Sequence, residues 1–593
     1  MALAASQKRN ALLPIPTSKC LKLLAVLCCG GLATTAAANN GAIPLLLNQC
    51  LNYSTDFHPD FSSAIALERQ TIGLQNIGDQ VNYYRSFPLP NAAREALLQC
   101  QLTLADAVDR VLTNPQLPQL IVQMRQTDSP GLGPLAQKYQ YLLTHQLPLE
   151  QKAGLSTAQA SIRQHLKSDN FQLLLGDCAL PSSEPAITTG SVSTPASEQT
   201  ADNKHKQRLV RNIASYLIQQ PDEHCRYEVW RRYQSRAKAS IKPMLSRILQ
   251  QRQQQAISAG ANNYADFLLR QQLIGSTEQL SKFLNAMTTK LPISPWNIGI
   301  ELAKLPSTKV NVISSSVFVT TMLSRLQSLE ISHEYINEHW IRLWHKHRLL
   351  GEILLSDAPQ NRHLLIRRSV IGQQSGQSQL ALKSQLKTLW DYQTAVSAIS
   401  EAVTQLASGG RYYLDNGFAL PQDAGRVGEL WLEHFLSAAF SHELQPQPHS
   451  REQLAEDYRL HLALFQASVA LTFYQQPDAT PSPEIYASLF AGRWPEAEDY
   501  AYSFNAIADA GPLVYEPLWQ QIIALAIYQT TTACSANQLF DELVVNEDSS
   551  GIEPLMEKIW GTNAPDRIIA QIHQGQFVAD HLPSWCPLEH FTP

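Results

Sequence analysis

Apolar residues recur at helical spacing in the first part of this chain. From about Ile43 to Leu180 the pattern is mostly helical, and one amphipathic stretch begins at Leu102. It ends at Asn114-Pro115, because proline lacks the amide hydrogen that a helix interior requires. The pattern predicts helices over most of this region.

A second helical pattern extends from Leu386 to Leu436. Two segments, each long enough to cross a domain, flank a short link that contains Gly409-Gly410 and Asn416-Gly417. Glycine and asparagine in such clusters interrupt helices and favour turns. We therefore expect two helices joined by an irregular connection.

Residues 181–203 break the helical pattern. They read PSSEPAITTGSVSTPASEQTADN, a composition typical of a disordered linker or a long exposed loop. We predict a linker or loop at 181–206, between an N-terminal helical region at 39–180 and a helical domain at 207–593.

The N-terminal residues 1–38 resemble a secretory signal. Three basic residues precede an apolar run from Leu21 to Leu32, and Ala36-Ala37-Ala38 offers a cleavage site. A transmembrane anchor is the alternative, but the run is short and contains a lysine. We expect export to the periplasm or the extracellular space, with no stable membrane anchor after cleavage.

Removal of this segment would leave an even number of cysteines. An even count in an exported chain predicts three disulfides, and buried free thiols are the alternative. Sequence order suggests that neighbours pair, although many connectivities are possible. The six residues are Cys50, Cys100, Cys178, Cys225, Cys534 and Cys586.

The bulk composition excludes two classes of protein. Charged residues make up 16% of the chain and the hydrophobic set 44%, which indicates a globular rather than a disordered protein. The net charge of −5 over 593 residues is too small to indicate a nucleic-acid partner.

Short motifs on the two segments around Gly409-Gly410 point to a known family. The run Ile399–Thr404 resembles Phe-His-Glu-x-x-His, and Asp423–Glu429 resembles Asp-x-x-Glu-x-Pro-Ser. In the thimet oligopeptidase and oligopeptidase A family, those two motifs lie on the helices that bind zinc. Further matches follow in family order at Leu147–Lys152, Tyr227–Ala237, Asn263–Asp266 and Leu343–Asp357.

This resemblance implies a mainly α, two-lobed, neurolysin-like fold with a deep central channel and small β elements. It places Ser400, Thr404 and Arg426 at the three zinc-ligand positions and Glu401 at the general-base position. Catalytic zinc requires imidazole or carboxylate ligands, which two hydroxyls and a guanidinium cannot replace. The resemblance therefore implies a metallopeptidase core without its metal site, in which Glu401 forms a buried ion pair with Arg426.

A second family element also departs from its pattern. Family members stabilise the oxyanion and grip the peptide with a His and several Tyr residues on a C-terminal segment. Alignment on Leu518-Trp519 places Asn505, Val514 and Pro517 at positions of this set. No His lies between His461 and His573, so the family histidine is absent.

We therefore expect an exported, non-catalytic relative of the oligopeptidases that uses no cofactor and binds a peptide or protein in its channel. Two alternatives stay open. One is an active zinc peptidase whose ligands come from other positions, such as His345 and His347 on one strand face. The other is a scaffold whose channel is vestigial.

Overall fold

A computed structural model describes residues 34–167, 178, 213–417, 419–476, 483–532, 534–581, 583 and 586. The predicted signal at 1–38 lies largely outside these residues, and the predicted linker at 181–206 lies wholly outside them. The chain divides into two compact units, one ending at Leu117 and one beginning at Pro118.

Three helices form the first unit: α1 (Thr34–Asp56), α2 (Ala64–Arg85) and α3 (Asn91–Leu112). A disulfide between Cys50 and Cys100 joins α1 to α3. The amphipathic helix α3 ends directly before Asn114-Pro115, as the sequence predicts.

The second unit is also mainly helical and contains one large hydrophobic core. Its helices are α4 (Leu117–Gln126), α5 (Leu132–Thr144), α6 (Leu149–Lys167), α7 (Ile213–Gln219), α8 (Glu223–Gln234), α9 (Lys238–Ser258), α10 (Tyr264–Leu269), α11 (Thr277–Met287), α12 (Ile298–Lys304), α13 (Ser315–Leu326), α14 (Leu389–Ala407), α15 (Val427–Ser437), α16 (Ser441–Leu444), α17 (Arg451–Gln475), α18 (Pro483–Leu489), α19 (Ala506–Asp509), α20 (Glu516–Thr530), α21 (Ala536–Phe540), α22 (Glu553–Trp560) and α23 (Ala564–Gln571). The expected mainly α fold with small β elements is confirmed.

A five-stranded sheet interrupts the helices of this unit. Its order is β2-β3-β4-β6-β5, with β4 and β6 parallel and the other neighbours antiparallel. A two-stranded ladder pairs β1 with β7. The strands are β1 (Ile313–Ser314), β2 (Ile331–Asn337), β3 (Trp340–His345), β4 (Arg348–Asp357), β5 (Arg362–Arg367), β6 (Gly376–Leu382) and β7 (Gln385–Leu386).

Helix α14 packs directly on this sheet. It begins with a reciprocal capping box, in which Thr388 and Asp391 each accept a hydrogen bond from the other's backbone amide. Gly351 of β4 has a φ of 156°, and a Cβ there would lie 2.8 Å from Leu406 Cδ2. At Gly376 of β6 the corresponding distance is 2.6 Å. At Gly351 the Cβ would also lie 2.3 Å from the carbonyl oxygen of Gly376 on the neighbouring strand, so that strand as well as the helix excludes a side chain there. At Gly376 the close contact is with the tip of the Leu406 side chain.

The remaining cysteines also pair with their sequence neighbours. Cys178 bonds to Cys225 and Cys534 bonds to Cys586, so the neighbour pairing suggested by sequence order is confirmed at all three bridges. No helix among the described residues combines the length and the apolar character required to cross a bilayer.

Candidate functional site

The two predicted helices and their link form the frame of the candidate site. Helix α14 carries residues 400–404, and Arg426 immediately precedes α15. Asn416 holds the link in place, because its side chain accepts a hydrogen bond from the Gly410 amide and donates one to the Ser369 carbonyl, both at 2.7 Å. The predicted helix–link–helix arrangement is present.

Two of the predicted ligand positions are enclosed hydroxyls. Ser400 is fully buried, and its hydroxyl has no hydrogen-bond partner within the described structure. The hydroxyl of Thr404, one helical turn later, is likewise enclosed and without a described partner. Both side chains therefore occupy one face of α14, where they offer neutral oxygen atoms.

The third predicted ligand position holds a cation that is already paired. Arg426 Nη2 lies 2.5 Å from Glu429 Oε1, and its Nε donates to Oε2 at 3.3 Å. This hydrogen-bonded pair, together with the charges of Glu401 and Glu433, raises the pKa of Arg426. The expectation that Arg426 pairs with Glu401 is wrong, because Glu429 lies three residues away on the first turn of α15 and takes the guanidinium in a two-point contact.

Glu401 instead faces a histidine on the edge strand of the sheet. Its Oε1 lies 3.4 Å from Nδ1 of His363, and Nε2 of the same ring lies 2.9 Å from the hydroxyl of Ser378. His363 belongs to β5 and Ser378 to β6. Neither residue stands out in the sequence, because each lies in a strand whose register becomes known only from the fold.

A second carboxyl lies on α15 near Arg426. Burial raises the pKa of Glu433 to about 7. A hydrogen bond from Ser397 lowers this pKa, whereas the charge of Glu429 raises it. At neutral pH this group is therefore partly protonated.

These residues do not fit a catalytic zinc ion. Hydroxyls lie at two of the predicted ligand positions, where imidazoles would be required, and the guanidinium at the third would repel a divalent cation. Throughout the described part of the chain, no group of three or more His, Cys, Asp or Glu side chains is arranged to hold a metal.

The alternative ligand pair also fails. Strand β3 ends at His345, and Lys346 turns the chain with a φ of 54°, so His347 lies outside the strand. The Nε2 atom of the buried His345 lies 3.2 Å from Asp541 Oδ1, and burial lowers the pKa of the imidazole. The expectation that His345 and His347 share one strand face is wrong, because the strand ends between them.

The three positions predicted from the C-terminal family segment lie in or beside consecutive helices and turns. Asn505 precedes the short helix α19 and donates to Asp509 at 3.1 Å. Val514 lies in a 3-10 turn, and Pro517 lies in the first turn of α20. The neighbouring Tyr515 is fully buried and donates to Asp423 at 2.9 Å.

A polar cavity of about 330 Å³ adjoins the predicted ligand positions. Thr404 and Arg426 line it, and so do Glu429 and the buried pair of Lys138 with Asp415. Burial raises the pKa of Asp415 to about 6, although the nearby Lys138 lowers it. The cavity offers paired charges and backbone groups to a polar ligand.

This architecture defines an oligopeptidase-like fold. No protein-family model matches the sequence, and no curated protein matches it. The similarity to solved structures extends over most of the chain but is confined to the fold, because the sequence identities are very low.

Three solved peptidase structures illustrate this similarity. One named as oligoendopeptidase F aligns with a TM-score of 0.51 at 10% identity and covers 90% of this chain and 95% of its own. PZ peptidase A with an inhibitor aligns at 0.50 and 12% identity, covering 90% and 97%. A peptidase structure from Chlamydophila abortus aligns at 0.50 and 12%, covering 87% and 91%. The finer resemblance to thimet oligopeptidase and oligopeptidase A stays a prediction.

Restoring the family ligands should create a zinc site. In the triple variant Ser400→His, Thr404→His, Arg426→Glu, both imidazoles would project from one face of α14 and the new carboxylate would remove the repelling cation. We expect zinc affinity, measured by competition with a chromogenic chelator, to rise well above that of the wild type and of each single variant. A triple variant that stays folded by circular dichroism and gains no affinity would show that the three positions do not converge.

Glu433 should make the folded chain less stable at alkaline pH. A carboxyl whose pKa is raised in the folded chain stabilises the fold fully at a pH below its ordinary pKa of 4.5. This contribution is lost as the pH rises through the folded-state pKa of about 7. Glu433→Gln should therefore raise the free energy of unfolding at pH 8 by about 1–3 kcal/mol, with little change at pH 4. Urea denaturation measures both values.

The matched control for this prediction is Glu557→Gln, which alters an exposed carboxylate. The control should change stability little at either pH. An equal effect of Glu433→Gln at pH 4 and pH 8 would contradict the assignment of a buried, partly protonated carboxyl.

Proposed function

We propose that this protein is an exported, oligopeptidase-like protein that binds peptides without cleaving them. The observation that carries the proposal is the set of residues at the predicted ligand positions. Two enclosed hydroxyls and a guanidinium held by Glu429 cannot supply a catalytic metal site. Without an activated water, Glu401 has no metal-assisted hydrolysis to perform.

Strand β5 supports the peptide-binding part of this proposal. It is an edge strand, bonded to β6 on one side and to no other described strand. An extended peptide that joins such an edge gains main-chain hydrogen bonds and requires little specific sequence. The contact between His363 of β5 and Glu401 of α14 places this edge beside the predicted site.

The cavity next to Thr404 and Arg426 supports the same proposal. At about 330 Å³ it lies within the size range of small-ligand pockets, which is roughly 300–1,000 Å³. It suits one or a few residues of a peptide that is otherwise held along the strand. The ligand class is thus a peptide or an extended protein segment, with no cofactor.

Export is supported by the three disulfides. Such bonds persist in oxidising compartments and are rare in the cytosol of most organisms. The basic and apolar character of residues 1–38 adds to this argument.

Proline substitutions in β5 test the proposed mode of binding. Successive amides of an edge strand point alternately into and away from the sheet. One of Leu364→Pro and Leu365→Pro should therefore disrupt the pairing with β6, and the other should leave the fold intact. We expect the folded one to lose most of its affinity for fluorescein-labelled random decapeptides, measured by fluorescence anisotropy.

The matched controls are Glu334→Pro and Tyr335→Pro in β2, the opposite edge of the same sheet. The control variant that remains folded should bind the decapeptides with the same affinity as the wild type. Hydrolysis of the probe that a chelator abolishes would contradict the proposal and favour an active peptidase. A wild-type protein that binds no probe would favour the scaffold alternative.

A further inference from the structure

Glu401 keeps the family residue at a position where no metal chemistry is left for it. Its carboxylate contacts a histidine that in turn contacts a serine on the next strand. We infer that Glu401 is a positioning residue: through His363 and Ser378 it holds the edge strand β5 against helix α14. The purpose of this arrangement rests on the proposed peptide-binding role of β5.

The contacts connect three separate elements of the fold. His363 Nδ1 lies 3.4 Å from Oε1 of Glu401 on α14, and its Nε2 lies 2.9 Å from the Ser378 hydroxyl on β6. The imidazole side chain is only 2% exposed, whereas that of Glu401 is 45% exposed. The ring therefore lies beneath the helix, and the carboxylate reaches it from the more open side.

An enclosed imidazole needs a partner at each nitrogen, because an unsatisfied buried polar atom costs about 1–3 kcal/mol. In the neutral ring, an Nδ1–H group faces the Glu401 carboxylate while Nε2 accepts the Ser378 hydroxyl hydrogen. In the protonated ring both nitrogens donate, and the serine hydroxyl accepts instead. The arrangement accommodates both protonation states, so it links β5 to α14 in either one.

The same residue types form nucleophilic triads in hydrolases. Here Ser378 is 1% exposed, so a substrate carbonyl cannot approach its oxygen. The serine therefore serves as a hydrogen-bond partner of the ring. Positioning is the role that its burial allows.

Strand β5 is the element that such a contact would stabilise. Among the described strands it pairs with β6 alone, and its register shifts between Leu365 and Arg367. A shifted edge strand has fewer regular ladder bonds than an interior strand. A side-chain tether at His363, near its start, would hold the free edge in one geometry for an incoming chain.

Hydrogen exchange tests this inference without any peptide. In Glu401→Ala we expect the amides of β5 to exchange about five- to tenfold faster than in the wild type, the effect of losing one charge-assisted contact. Exchange in β2, the opposite edge of the sheet, should not change. Glu401→Gln keeps an acceptor for Nδ1–H and should restore exchange to within about twofold of the wild type.

Two further variants keep the test decisive. Ser378→Ala removes the other partner of the ring and should also speed exchange in β5, which provides a second route should Glu401→Ala fold poorly. Glu338→Ala removes an exposed carboxylate between β2 and β3 and should leave β5 unchanged.

Three results would overturn the inference: unchanged exchange in β5, equal acceleration in β2 and β5, or no rescue by Glu401→Gln. Because no peptide is present, failure of the proposed peptide binding would not alter these outcomes. The two claims are therefore separately testable.

Discussion

Close packing of α14 on the sheet is the constraint on which the candidate site depends. Leu406 presses against the strand backbones where Gly351 and Gly376 leave no side chain. This approach brings the middle of the helix over β5 and β6, so Glu401 reaches His363. A Cβ at Gly351 would also lie 2.3 Å from the carbonyl oxygen of Gly376, so a larger residue there would disturb the pairing of β4 with β6.

Arg426 is the cation around which three acidic residues of the candidate site are grouped. Glu429 binds the guanidinium directly, and Glu401 and Glu433 act on it through their charge. A guanidinium stays protonated at all physiological pH values, so it offsets these carboxylates permanently. The same cation would repel a divalent ion placed beside it. This compensation is incomplete at Glu433. Burial raises the pKa of its carboxyl to about 7, although the charge of Arg426 lowers it.

Sequence reasoning predicted the features that local patterns determine. The helix–link–helix arrangement and the places of Ser400 and Thr404 on α14 follow from spacing along the chain. The neighbouring disulfide pairs were suggested only by the order of the cysteines, which left other connectivities open. The prediction that Glu401 pairs with Arg426 was wrong. Its observed partner, His363, comes from an edge strand whose register depends on the whole sheet. The expected pairing of His345 with His347 was wrong because a turn at Lys346 ends the strand.

The zinc content of the purified protein tests the central claim most directly. After dialysis against metal-free buffer, elemental analysis should find well under one zinc per chain, because Ser400, Thr404 and Arg426 supply no ligand set. Peptidase activity should not exceed background before or after zinc is added. One tightly held zinc per chain, with activity that a chelator abolishes, would contradict the account.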